Sequence, residues 1–266
     1  MRRQGREMTY KHILYGVEAG IARVTLNNPE KLNRLSIEAM KEIVSALEAA
    51  KGDDAARVIV IQAAGDKAFC AGANLQDFGG LNAVEARRVF RAFADLSSVF
   101  IDLGKPSIAA VNGLALAGGC GLAIYPDITI ASEKATFGLP EINVGLWSCM
   151  VSASLPRILG TKKALELLLT GDMIDAREAE RIGLVNRVVP HDQLETTVMD
   201  LARKLAEKSG VVMGLGRDSF YTMQGMEYKK ALEYLLDVLV VIMGSEDCKE
   251  GLAAFVEKRK PVWKNK

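Results

Sequence analysis

The chain has 266 residues, 49% hydrophobic and 25% charged, with 34 Lys and Arg against 33 Asp and Glu, a net charge of +1. That balance suits one large globular domain and excludes both a disordered chain and a protein that binds nucleic acid by neutralising phosphates. Two distant histidines, His12 and His191, and four cysteines without a Cys-x-x-Cys pair argue against a His-rich metal centre, a zinc knuckle and a redox dithiol.

Met1–Arg6 is polar and no apolar run follows it, so no signal peptide is expected. The expected compartment is the reducing cytoplasm. Arg2, Arg3 and Arg6 read as a solvated terminus rather than a nucleic-acid arm. Gly20–Asn27 reads as a β-strand ending in the turn signal Asn27-Asn28-Pro29. Ser36 is a candidate N-cap for a helix whose apolar positions are Ile37, Met40, Val44 and Leu47. Arg57–Ala63 is a short β-branched run, hence a buried strand, and Gly65–Gly80 is a Gly-containing loop. Val89, Phe93, Leu96, Phe100 and Leu103 mark the buried face of a long helix. Pro106 closes it, and Ser107–Val111 and Asp127–Ala131 are further strands. Ile108–Tyr125 is nearly all apolar or Gly. Its glycines favour a buried strand–turn–helix over a membrane span. Strand alternating with helix predicts an α/β fold with mainly parallel pairing.

After about Cys149 helices dominate. Lys162–Thr170 ends at Gly171, and Asp175 with Glu178 forms a capping-box pattern. Leu194, Val198, Leu201 and Leu205 share one helix face. Glu227–Met243 and Ser245–Lys260 continue the helical pattern. The division expected is an α/β core over 1–195 and a helical region over 196–266. The stripe Leu235, Leu236, Leu239, Val240 and Met243 fits either the core of this chain or burial against another subunit.

Two Gly-rich turns each follow a predicted strand. They are Ala68–Phe78 and Val111–Leu122, the second also opening a short helix. On residue chemistry alone they are either tight turns or places that aim backbone N–H groups, aided by a helix dipole, at one carbonyl oxygen. P-loop, Rossmann and Gly-x-Ser-x-Gly patterns are absent from the sequence.

Six segments, in order, resemble the enoyl-CoA hydratase/isomerase (crotonase) family. They are NNPEKLNRLS (Asn27–Ser36), KAFCAGANLQDF (Lys67–Phe78), KPSIAAVNGLALAGGCGLAIYPD (Lys105–Asp127), ATFGLPEINVGL (Ala135–Leu146), LLLTGDMIDAREAERIGLVNRVV (Leu167–Val189) and EGLAAFVEKRKPVW (Glu250–Trp263). The resemblance implies a crotonase-like spiral of ββα units with a helical C-terminal oligomerisation region that builds homotrimers or homohexamers. It implies an acyl-CoA thioester substrate, with coenzyme A present only as part of that substrate and no separate cofactor or metal. The N–H groups of Ala73 and Gly118 take the place of an oxyanion hole, and Glu141 that of a catalytic carboxylate. Lys31, Leu32, Ala71, Ala73, Asn74, Leu75, Gln76, Gly118 and Trp147 take the place of substrate-binding residues. Phe255 and Lys260 stand where family members touch the nucleotide, often from a neighbouring subunit.

Two departures stand out. Family hydratases pair two glutamates, and Gly121 occupies the place of the first. LWSCMVSAS (Leu146–Ser154) replaces a small, Gly-rich segment, so Trp147 and Met150 are expected to reshape the acyl pocket. One carboxylate suffices for a 1,3-proton shift and can serve hydration in two turns. The reading is therefore an enoyl-CoA hydratase or isomerase with Glu141 as its single acid/base. Alternatives are thioester hydrolysis or decarboxylation, which the space at Gly121 would favour, and a non-catalytic acyl-CoA-binding protein.

Overall fold

The computed structural model describes residues 10–74 and 78–266. Strand β1 (Ile13–Glu18) turns through Ala19 and Gly20, both at positive φ, into antiparallel β2 (Ile21–Leu26). Positive φ at both turn residues gives the hairpin the twist its strands require. The reading of the sequence passed over β1, although Ile13, Tyr15 and Val17 alternate inward along it.

Beyond β2 one pattern repeats. A strand of a large sheet is followed by a short strand of a small sheet, and then by a helix. The turns of this spiral are β3 (Val58–Ala63), β4 (Ala68–Cys70) and α2 (Ala83–Val99); β5 (Ser107–Val111), β6 (Leu114–Leu116) and α3 (Gly118–Ile124); and β7 (Ile128–Ser132), β8 (Thr136–Gly138) and α4 (Cys149–Thr170). Helix α4 is broken at Gly160. The first turn is abbreviated: Leu35 makes a lone parallel bridge to Ala73 between β2 and α1 (Ile37–Gly52). β9 (Met173–Asp175), α5 (Ala176–Arg181) and β10 (Arg187–Val189) complete the two sheets. The large sheet runs β1-β2-β3-β5-β7-β10, parallel from β2 onward. The small one runs β4-β6-β8-β9, antiparallel only at β9. β4 lies inside the segment expected to be a loop. Three residues are too few for periodicity to reveal.

The apolar runs of β3 and β5 follow from burial on both faces. Ile59, Ile61, Ala109 and Val111 join the main core with Phe69, Phe100 and Phe137. Val58, Val60, Ile108 and Ala110 face α6 (Leu194–Ala206), which lays Leu194, Val198 and Ala202 on them. The sequence position 195 thus falls within a helix that covers the large sheet. Ser36 caps α1 by accepting from the Ala39 N–H. At α5 only half of the capping box forms. Asp175 accepts from the Glu178 N–H, but the Glu178 carboxylate turns to Arg181 at 2.6 Å.

α7 (Gly210–Met223), α8 (Tyr228–Gly244) and α9 (Glu246–Val256) end the chain. α7 was not foreseen, since its apolar residues are interrupted by glycines. Arg217 and Tyr221 tie it to the core through Asp127, at 2.9 and 2.7 Å. The core reading of the α8 stripe is overturned: Leu236, Leu239, Val240 and Met243 are exposed. Among the described residues no helix is long and apolar enough to cross a membrane, and no three His, Cys, Asp or Glu side chains cluster as metal ligands.

Candidate active site

Three segments far apart in sequence meet because they leave the same ends of three neighbouring strands. β4, β6 and β8 are parallel and adjacent, so their carboxyl ends lie side by side. β4 delivers Ala71-Gly72-Ala73, β6 delivers Ala117-Gly118, and β8 delivers Leu139-Pro140-Glu141.

The first two segments touch. Gly72 has φ +81°, and a Cβ there would stand 2.9 Å from both Ala117 Cβ and Leu116 O, and 3.6 Å from Gly118 N. A Cβ on Gly119 would run into the Cys70 carbonyl, so only glycine lets α3 start against the end of β4. Ala117 sits at φ 54°, ψ −125°, and its N–H donates to Gly138 O at 2.9 Å. A non-glycine residue in that region costs about 1–3 kcal/mol, and such strain gathers at functional sites. It turns the chain sharply into α3. Leu35 N–H donates to Gly72 O at 2.8 Å in the bridge to Ala73. Among the described residues the N–H groups of Ala73 and Gly118 meet no acceptor. Phe93 and Leu35 wall this spot. A Cβ at Gly118 would lie 3.1 Å from Phe93 Cε1 and 3.4 Å from Leu35 Cδ1. Phe78 and Phe90 extend the apolar wall, with ring centroids 6.3 and 6.0 Å from Phe93.

Glu141 stands in a 3-10 turn, Pro140–Val144, that Gly145 closes in the left-handed conformation. The Leu146 N–H donates to Glu141 O at 3.0 Å. Burial pushes the Glu141 carboxyl above the ordinary range. A hydrogen bond with Ser148 and its own backbone N–H pull the other way. Oε2 is buried and without a partner among the described residues. A buried, unsatisfied carboxylate oxygen is costly and normally avoided, which singles this group out.

The space beside Gly121 is not empty. A Cβ there would lie 2.7 Å from Tyr125 Oη and 2.9 Å from Val151 Cγ2. The expectation of room left by a missing side chain is therefore corrected: a tyrosine and a valine fill it.

The other predicted residues are placed as follows. Lys31 ends the Pro29–Lys31 turn and Leu32 caps it, and Leu32 O accepts from the Ala71 N–H at 3.0 Å, which brings this turn against Ala71. Asn74 follows Ala73 directly. Leu75 and Gln76 lie outside the described residues, as do Arg2, Arg3 and Arg6. Trp147 is 39% exposed. Met150 is half-buried and lines, with Phe90 and Val44, a cleft between α1 and α2. Phe255 is 84% exposed, and α9 packs on α7 and α8. Lys260, just beyond α9, is exposed as well. The sequence reading missed Asn33, Ser148 and Tyr125. Buried Asn33 organises the first turn by donating to Ala64 O and Ala68 O, both at 2.9 Å. The four-residue spacing of Tyr125 from Gly121 was a usable signal. No spacing pointed from Ser148 to Glu141.

A profile of the family described as enoyl-CoA hydratase/isomerase matches residues 16–266. The chain belongs to the enoyl-CoA hydratase/isomerase family. A probable enoyl-CoA hydratase of Rhizobium meliloti is 38% identical over 97% of this chain and 100% of its own length. A crotonyl-CoA hydratase of Syntrophomonas wolfei is 35% identical over 95% of this chain and 98% of its own. The crystal structure of enoyl-CoA hydratase from Bacillus anthracis superposes with a TM-score of 0.92 at 31% identity, covering 96% of this chain and 100% of that one. The two-sheet spiral is thus the crotonase fold, and the chain is an enzyme of the hydratase/isomerase family.

Proposed function

We propose that this enzyme acts on 2-enoyl-CoA thioesters through an enolate, with Glu141 as its acid/base and the Ala73 and Gly118 N–H groups as its oxyanion hole. The observation that carries the reading is the unpartnered, buried Oε2 of Glu141, which follows the carboxyl end of a strand whose parallel neighbours are followed by two backbone donors without acceptors among the described residues. Two such donors stabilise charge that develops on the thioester oxygen, and losing one costs about 10²–10³-fold in rate. In hydration, the Glu141 carboxylate takes a proton as water oxygen bonds to C3 and the π electrons move onto the thioester. The same proton then passes from Glu141 to C2, which restores the carboxylate. The raised pKa brings the group nearer to neutrality, where it both accepts and returns a proton efficiently.

A second reading, double-bond isomerisation, is favoured by Gly121. Without a second carboxylate, Glu141 takes a proton at C2 and returns it at C4, and no water is consumed. Hydrolysis or decarboxylation loses its main support, because Tyr125 and Val151 occupy the room that motivated it. A non-catalytic role leaves the cost of burying Glu141 without a purpose.

In this reading Lys31, Leu32, Ala71 and Asn74, with Leu75 and Gln76, hold coenzyme A, and Trp147 lies at the acyl end. The exposed apolar face of α8 supports assembly into homotrimers or homohexamers, which would bring Phe255 and Lys260 to a neighbour's nucleotide. Free cysteines fit a reducing compartment, and the cytoplasm is the proposed one. The test is turnover of purified protein on 2-hexenoyl-CoA and 3-hexenoyl-CoA. Glu141→Gln should lower kcat on both by about 10²–10⁴-fold. Wild-type rates in that variant would remove Glu141 as the acid/base.

A further inference from the structure

Tyr125 is a polar side chain near Glu141 that the chemistry above leaves unused. It follows the last residue of α3, four positions after Gly121. Side chains four apart share a helix face and lean toward the N-terminus, so the Tyr125 ring folds back over Gly121. The fit is close. A Cβ at 121 would stand 2.7 Å from the hydroxyl oxygen and 2.9 Å from Cζ, inside any normal contact. Any side chain at 121 and the tyrosine hydroxyl compete for one volume. The phenol is also held from outside α3. Its ring packs at 6.0 Å against Phe100, and Ser97 on α2 lies near its hydroxyl.

Burial pushes the Tyr125 hydroxyl up to about 12. Ser97 opposes this, and the nearby Cys120 and Glu141 charges add to it. It therefore stays a neutral phenol throughout the range in which a carboxylate titrates. A neutral phenol offers one proton to donate and lone pairs to accept. A neutral donor also differs from a second carboxylate in a useful way. It adds no negative charge beside an enolate, and it does not raise the Glu141 pKa by like-charge repulsion.

We propose that Tyr125 is a positioning residue for hydration. Its hydroxyl, which takes the volume beside Gly121 that a side chain there would fill, holds the attacking water against Glu141. This rests on the reading of Glu141 as the acid/base. Gly121 and Tyr125 then work as one unit: the glycine is the seat of the hydroxyl.

The test compares wild type, Glu141→Gln, Tyr125→Phe, Gly121→Ala and the Gly121→Ala/Tyr125→Phe double variant on 2-hexenoyl-CoA and 3-hexenoyl-CoA, with thermal melts of each. Tyr125→Phe removes one oxygen. It should lower kcat for hydration by roughly 10- to 100-fold with little change in KM. Isomerisation needs no water, so the ratio of hydration to isomerisation should fall by roughly 10-fold or more. Gly121→Ala displaces the hydroxyl and should produce the same ratio change. The double variant should lose no more than the worse single variant, since coupled residues are not additive. An unchanged ratio in Tyr125→Phe, or losses that multiply in the double variant, overturns the proposal. So does a wild-type enzyme that isomerises without hydrating. Tyr125→Phe with wild-type rates while Glu141→Gln is inactive removes only the role of Tyr125. A wild type without turnover on either substrate removes the Glu141 reading and this one with it.

Discussion

Glu141 works against its own burial. Its folded-state pKa lies above the unfolded value, so the folded form gains stability below the unfolded pKa and loses it as pH rises through the folded pKa. At neutral pH the ionised side chain is a cost. Glu141→Gln should therefore melt no lower than wild type, and higher if Gln satisfies the orphan position, while its turnover collapses. A differential scan beside the kinetic assay reads both, and a clearly lower Tm would contradict the burial argument. Ser148 is the counterweight that lowers the Glu141 pKa. Ser148→Ala should push that pKa up, so the acid limb of the kcat/KM profile should move to higher pH. An unmoved limb would show that the hydroxyl does not act on Glu141. At this scale the motif around Glu141 is legible in the sequence, but what surrounds the carboxylate is not. Ser148 reaches the site by local backbone geometry that no composition or periodicity encodes, whereas Tyr125 is marked by its four-residue spacing from Gly121.

Short elements set the positions of the site groups. β4, β6 and β8 have three residues each, yet their parallel pairing brings Ala73, Gly118 and Glu141 to one edge. The tightest joint is Gly119 against the Cys70 carbonyl. Gly119→Ala should destabilise the protein by at least about 1–3 kcal/mol, the usual cost of overpacking, because backbone must move. A denaturant midpoint equal to that of wild type would show that α3 shifts freely. A second joint lies after α9, where the tail folds back. Glu250 accepts from Arg259 and from the Val262 N–H, and these bonds bring its carboxyl down to about 2. Burial would raise Asp247, but the Ser209 hydroxyl and the N–H groups of Lys264 and Asn265 outweigh it and hold it below its ordinary value. Both folded pKa values are lowered. The stabilisation is thus complete above the unfolded carboxylate value and is lost as pH falls through the folded one. Trp263, whose Nε1 donates to Glu207 O at 2.7 Å, should report the release. In a Trp147→Phe background its emission should shift to the red below roughly pH 4. Emission unchanged to about pH 2 would contradict the clamp.

At the scale of the whole molecule, α8 leaves an apolar face without cover. Val240 is 64% exposed, with Leu236, Leu239 and Met243 beside it. Each such side chain is worth about 1.5–3 kcal/mol when fully buried, which makes a lasting exposed stripe costly. The proposed assembly covers it. Leu239→Glu should shift the protein to a smaller species by light scattering after gel filtration, with its helix content retained. An unchanged mass would place the subunit contact elsewhere. The sequence stripe had allowed either core or interface, and only packing separated them, because periodicity records that a face is apolar but not what lies against it.

The sequence alone determined the α/β alternation, the buried strands at 58–63 and 107–111, the cap at Ser36 and the residues that carry the family resemblance. Those signals are local: side-chain period, turn chemistry and motif order. Tertiary structure decided what depends on distant neighbours. It put three loops at one sheet edge through strand pairing, left Glu141 Oε2 without a partner, exposed α8, and filled the place beside Gly121. That last decision was out of reach of composition. A missing side chain reads as a gap in sequence, whereas in a packed interior the vacated volume is claimed by whichever neighbour leans into it, and here that neighbour is Tyr125.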